Sequence, residues 1–124
     1  METIILKTES DVVKDEGKNR FSRDTDTLAS GSGTVKIGTV LGKVSASGKF
    51  KPLAPSAEDG TQIAAAVILQ YADATAADHA AVNLKRRAQV VLQELVWPAG
   101  ITDAQKKGAL DQLAALGIIA RMGV

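Results

Sequence analysis

The sequence contains no cysteine, a single histidine (His79) and only four aromatic residues, Phe21, Phe50, Tyr71 and Trp97. Without cysteine there is neither a disulfide nor thiolate chemistry, and one histidine excludes the usual zinc constellations. Large rings being scarce, a core must be built from Ala, Val, Ile and Leu. The abundance of small residues, 20 Ala and 11 Gly among 124, makes that core thin, and a thin core in a small domain favours help from subunit contacts. Charge of one sign is also missing: 15 basic residues face 14 acidic ones, net +1, so the long-range field of a nucleic-acid or anionic-membrane binder is absent. The uncharged run from Thr61 to Ala72 falls well short of the roughly 20 residues that a bilayer-spanning helix needs. METIILKTESD has no basic segment leading into an apolar one, and the expectation is a soluble protein made in a cytoplasm.

What charge there is concentrates at the start. Residues 1–27 hold seven acids and five bases, too many for this segment to form a core of its own. It is read as an extended N-terminal arm, with residues 28–124 as one domain. Within the arm, the cluster Thr3, Ile4, Ile5 and Leu6 carries two β-branched isoleucines next to a threonine and suits an extended strand that pairs elsewhere, and Phe21 is the arm's one aromatic.

From Thr27 short apolar runs alternate with Gly, Ser, Pro and Asp, the punctuation of a β-rich region. Gly38 and Gly42 inside the run Val35–Val44 predict bulges or a tightly curved small barrel. Ala46-Ser47-Gly48 predicts a hairpin turn before Phe50. QIAAAVILQY reads as a buried strand, Ala72–Asp78 as a loop, Ala81–Lys85 as a half-exposed strand, and AQVVLQELVW as a strand stopped by Pro98. One helix is expected from about Asp103 to Leu116: Thr102 and Gln105 form a capping box, and Gly117 stands just past the end. Ala109, Leu113 and Leu116, with Leu110 beside them, form its apolar face, and Lys106, Lys107, Asp111 and Gln112 its wet one. Ile118–Ala120 then closes the fold as a strand. The fold class is mainly β with a short C-terminal helix (α+β), a small curved sheet or barrel-like domain behind the arm.

No catalytic constellation rises above background. His79 reads as a surface residue, no serine sits in a G-x-S-x-G elbow, and Gly31-Ser32-Gly33 lacks the lysine of a phosphate loop and reads as a hairpin tip. Glu58, Asp59 and Asp73 read as solvated loop carboxylates. Lys85-Arg86-Arg87 has no interleaved aromatics and reads as a solvated strand end rather than a nucleic-acid site. Catalytic, cofactor and metal residues are therefore expected to be none.

The stretches TLASGSGTVKIGTVLGKVSASGKFKPLAPSAEDGTQIAAAVIL and LVWPAGITDAQKKGALDQLAALGIIAR resemble the lambda-type bacteriophage head decoration proteins, the capsid cement proteins of tailed phages. The likeness lies in the order and spacing of Ser22-Arg23, Gly42-Lys43-Val44, Gly48-Lys49-Phe50, the Pro55–Gly60 loop, Trp97-Pro98 and Leu116-Gly117-Ile118. It implies a homotrimer seated at three-fold and quasi-three-fold positions on the outer surface of an expanded icosahedral capsid, with the major capsid protein as partner and no enzymatic activity. It further implies an N-terminal arm that becomes ordered on the shell, and the candidate capsid-binding residues are Thr3, Ile4, Ile5, Leu6 and Phe21. The alternative is a capsid-displayed module for host or glycan adhesion, which would need an exposed aromatic cluster.

Overall fold

A computed structural model describes residues 9–17 and 22–122. In chain order it contains α1 (Glu9–Val12), β1 (Val13–Glu16), β2 (Arg23–Leu28), β3 (Gly33–Val35), β4 (Val40–Lys43), β5 (Phe50–Pro52), β6 (Ala64–Ile68), β7 (Ala72–Ala74), β8 (His79–Leu84) and β9 (Ala88–Val91), followed by a 3-10 turn (Leu92–Glu94), α2 (Asp103–Ala115) and β10 (Ile118–Arg121). Five strands close a barrel in the order β2-β5-β4-β6-β8, while β1-β9-β10 form a three-stranded sheet and β3-β7 a ribbon. The barrel, the single long helix and the curvature agree with the fold class expected above.

Alternation along the barrel strands sends their apolar side chains to two clusters. Leu28, Leu41, Phe50, Ala66, Ile68 and Ala81 gather in one, with Val35, Ala72 and Ala74 of the ribbon. Val40, Val67 and Leu84 belong to the other, where the barrel meets β9, β10 and α2 through Val90, Ile118, Ala109 and Leu113. The bulge falls in β6, where Ala65 is the extra residue between the pairs Leu41–Ala66 and Gly42–Ala64, opposite the glycine of β4. A Cβ on Gly42 would lie 2.5 Å from the Thr61 backbone, so only glycine allows that approach. The hairpin turn at Ala46-Ser47-Gly48 joins β4 to β5 in antiparallel pairing.

α2 starts as its sequence dictates. The Thr102 side chain accepts from the Gln105 amide, and the Gln105 side chain accepts from the Thr102 amide, satisfying two orphan donors of the first turn. Gly117 has φ 86°, the left-handed conformation that releases the chain into β10.

The structure departs from the expectations at five places. Ala72–Ala74 is a strand, β7, paired with β3, where a loop was expected. Its small residues carry too little periodicity to announce a strand. AQVVLQELVW is strand only to Val91 and then turns through the 3-10 segment. Gly31 and Ser32 carry the chain from the barrel to the ribbon and Gly33 is the first residue of β3, so the three do not cap a hairpin. Leu116 lies at the helix C-cap and is 40% exposed, so it is not part of the buried face. Gln112 is half-buried, its Oε1 accepting from the Ala64 amide at 2.8 Å, because the start of β6 needs an acceptor there.

The highly charged segment up to Thr27 also takes part in the fold: Val12 is fully buried in the cluster under α2, β1 pairs with β9, and β2 pairs with β8 along its whole length. Charge density did not reveal this because β2 is held by polar partners described below.

Candidate functional site

Of the residues expected to contact a capsid, Thr3, Ile4, Ile5, Leu6 and Phe21 all lie outside the described residues. The structure does describe the point from which residues 1–8 leave. α1 packs near β9 and the 3-10 turn, and Val12 anchors it with no exposed surface. From there β1 runs antiparallel to β9, pairing Val13 with Val90, Asp15 with Gln89 and Glu16 with Ala88.

Ser22 ties the end of this segment to the domain. It is fully buried; its Oγ accepts from the Gly17 amide at 2.8 Å and donates to the Arg87 carbonyl at 2.6 Å. Its own carbonyl accepts from the Lys85 amide at 2.8 Å. A hydroxyl is both donor and acceptor, so one side chain joins β1, the start of β2 and the β8–β9 connection. Arg87 has φ 38°, the only positive value among the described non-glycine residues, and its amide and carbonyl are held by Leu116 and Ser22. Sequence reasoning noticed the Ser22-Arg23 pair as a spacing mark and missed that the serine is a buried junction; a hydroxyl's partners carry no sequence signal.

The charged residues beside it are paired. Arg23 reaches Glu16 with two nitrogens, Nε at 2.8 Å and Nη2 at 2.5 Å, a bidentate geometry that fixes β1 against β2. Asp24 accepts from Arg86 Nη2 at 2.5 Å and has Lys85 Nζ at 3.5 Å. The Arg86 hydrogen bond holds the Asp24 carboxyl below the ordinary aspartate range, against a smaller opposing effect of desolvation. Lys85 and Arg86 are thus spent on β2, which fits the reading of this basic spot as a strand end.

The other titratable candidates do not converge. His79 is exposed at the start of β8, its Nδ1 2.6 Å from the Ala80 carbonyl oxygen. Asp59 accepts from the amide and hydroxyl of Thr61, and Asp73 from those of Thr75. These local bonds, the side-chain hydroxyl first, lower both carboxyls and stabilise turns. An open cleft of about 670 Å³ is lined by Asp15, Glu16, Arg87, Gln89 and Ile119 among others; it runs along β1, β9 and β10, and its carboxylates and guanidinium have no nucleophile or histidine beside them among the lining residues. Among the described residues no three His, Cys, Asp or Glu side chains group as metal ligands, and no helix is long and apolar enough to cross a membrane. Trp97 packs against the cluster under α2, while Tyr71 is 43% exposed.

Comparison with known families decides what this arrangement belongs to. The family model described as bacteriophage lambda head decoration protein D matches residues 5–118. The chain belongs to that family. Its role is therefore structural, decoration of the phage head, its place is the virion capsid and its partner is the capsid. The matched span takes in Ile5 and Leu6 as well as the barrel, α2 and the first residue of β10. No curated protein matches the chain significantly.

Proposed function

We infer that this decoration protein assembles as a homotrimer on the outer surface of the expanded capsid, at three-fold and quasi-three-fold positions, and stabilises the shell against the pressure of packaged DNA. The observation that carries the reading is the family match over residues 5–118. The thin, alanine-rich core supports self-association, since a small domain gains stability by burying more surface between copies.

The attaching element is residues 1–8, with Thr3, Ile4, Ile5 and Leu6 pairing as an edge strand with an unpaired strand of the major capsid protein. Phe21 is the second capsid contact. Two features support this placement. Val12 and the β1–β9 ladder fix the chain immediately after residue 8, so the segment starts from a rigid base. Its cluster of two isoleucines beside a threonine is set apart from β1 by the short helix α1. Each backbone hydrogen bond gained is worth only about 0.5–1.5 kcal/mol net, but three arms on one trimer act at high effective concentration. Modest strands thereby give durable attachment.

The direct test is sedimentation of the purified protein with phage heads. Binding to expanded, undecorated heads and not to unexpanded ones is the expected result; equal binding to both, or to neither, contradicts it.

A further inference from the structure

β2 is a barrel strand without an apolar face. Arg23, Asp24, Thr25, Asp26 and Thr27 bring no hydrocarbon side chain to the core, and only Leu28 at its end is buried there. On its β5 side the pairing is a single position, Leu28 with Phe50, so from Arg23 to Thr27 the ladder leads to β8 alone. A strand polar on both faces has no hydrophobic set to fix its register or hold it down.

Cross-strand polar contacts take over that role. Arg86 Nη2 lies 2.5 Å from Asp24, and Lys85 Nζ lies 3.5 Å from Asp24 and 3.3 Å from Asp26. Asn83 Nδ2 donates to Asp26 at 3.1 Å, and Lys85 Nζ also sits 5.1 Å from the Phe50 ring centroid. This seam is incompletely satisfied. Asn83 is fully buried, yet its Oδ1 has no hydrogen-bond partner among the described residues. With its nitrogen donating to Asp26 Oδ2, the Asn83 amide has its oxygen turned away.

We propose that β2 is a releasable strand, which opens from β8 as a unit while the rest of the barrel and α2 stay folded, and that Asp24, Asp26, Lys85 and Arg86 are the catch that keeps it closed. Opening β2 forfeits a backbone ladder and ion pairs that water can partly replace, whereas lifting β4, β6 or α2 opens an apolar cluster. Leu28 at one end and, at the other, the Ser22 junction with the Arg23–Glu16 pair remain as fixed points, confining the opening to the four residues from Asp24 to Thr27. The catch is salt-sensitive, because the Asp24, Lys85 and Arg86 side chains are 40%, 23% and 36% exposed and partly exposed pairs are screened.

Hydrogen exchange followed by mass spectrometry on the full chain tests this, comparing wild type at low and high salt with Asp24→Asn, Asp26→Asn and, as a control, the exposed Thr25→Ala. The expected result is exchange of β2 peptides that is faster by roughly tenfold in both asparagine variants and clearly faster at high salt, with β6 and α2 peptides unchanged and the control like wild type. Protection of β2 that matches β6 and α2 in every sample overturns the proposal. So does acceleration of all three elements together, including a variant that unfolds altogether.

Discussion

At the scale of single residues, stability rests on a few side chains whose partners are fully specified. Leu113 is completely buried between α2, β6 and β10. Leu113→Ala should lower the unfolding free energy by about 2–5 kcal/mol, the sum of lost transfer energy and a residual cavity, as read by chemical denaturation. Ser22 is the polar counterpart: Ser22→Ala leaves the Gly17 amide and the Arg87 carbonyl without their hydroxyl partner, and should cost about 1–3 kcal/mol despite removing one atom. Asp24 gives the residue-scale pH signature. Its carboxyl is held below the ordinary aspartate range chiefly by the Arg86 hydrogen bond. The unfolded state therefore takes up its proton first on acidification, and the stabilisation is complete above the ordinary aspartate range and lost as pH falls through the lowered folded-state value. Wild type should accordingly exceed Asp24→Asn in stability at neutral pH, and the gap should close in acid. A gap that is constant across denaturation curves at a series of pH values would show that the ion pair contributes nothing.

At the scale of elements, the parts that were legible in the sequence are those whose causes are local. The α2 capping box, Gly117 past its end and the β4–β5 hairpin each follow from residue types at fixed offsets, and each is present; the bulge expected around Gly42 lies on the facing strand, at Ala65. β6 was legible as a buried apolar run. β2 was not, because its barrel contacts go through Asp24 and Asp26, and the lysine, arginine and asparagine that offset them lie some 60 positions further on. A charge count sees twelve charges and no core; the fold sees paired charges at one edge of it. β7 escaped for the opposite reason, being a three-residue strand whose only buried side chains are the methyl groups of Ala72 and Ala74. The Ser22 junction was invisible, since a buried hydroxyl is defined by its partners. This has a practical consequence for truncation. Removing residues through 21 would take away Val12 and β1, whereas removing 1–8 leaves every described element in place. The shorter deletion should therefore preserve the thermal unfolding midpoint to within a few degrees, which calorimetry would show.

At the scale of the whole molecule, a small barrel with little aromatic mass serves as part of a larger shell. Family membership makes it a structural component of the phage head, and our reading divides the chain into a folded body that supplies shape and an N-terminal segment that supplies attachment. The body needs only marginal stability of its own, because assembly adds contacts that exist only on the shell. On our reading, the strand pairing of the segment forms only on binding. The measurement that tests this division most directly is occupancy on expanded heads for wild type, the deletion of residues 1–8 and Ile5→Pro, side by side, with folding of each confirmed in solution. Proline removes the amide donor and breaks the ladder at that position, so the proline variant should approach the deletion, both far below wild type while equally folded. Equal occupancy for all three would contradict attachment through the N-terminal segment and move it to the surface of the barrel.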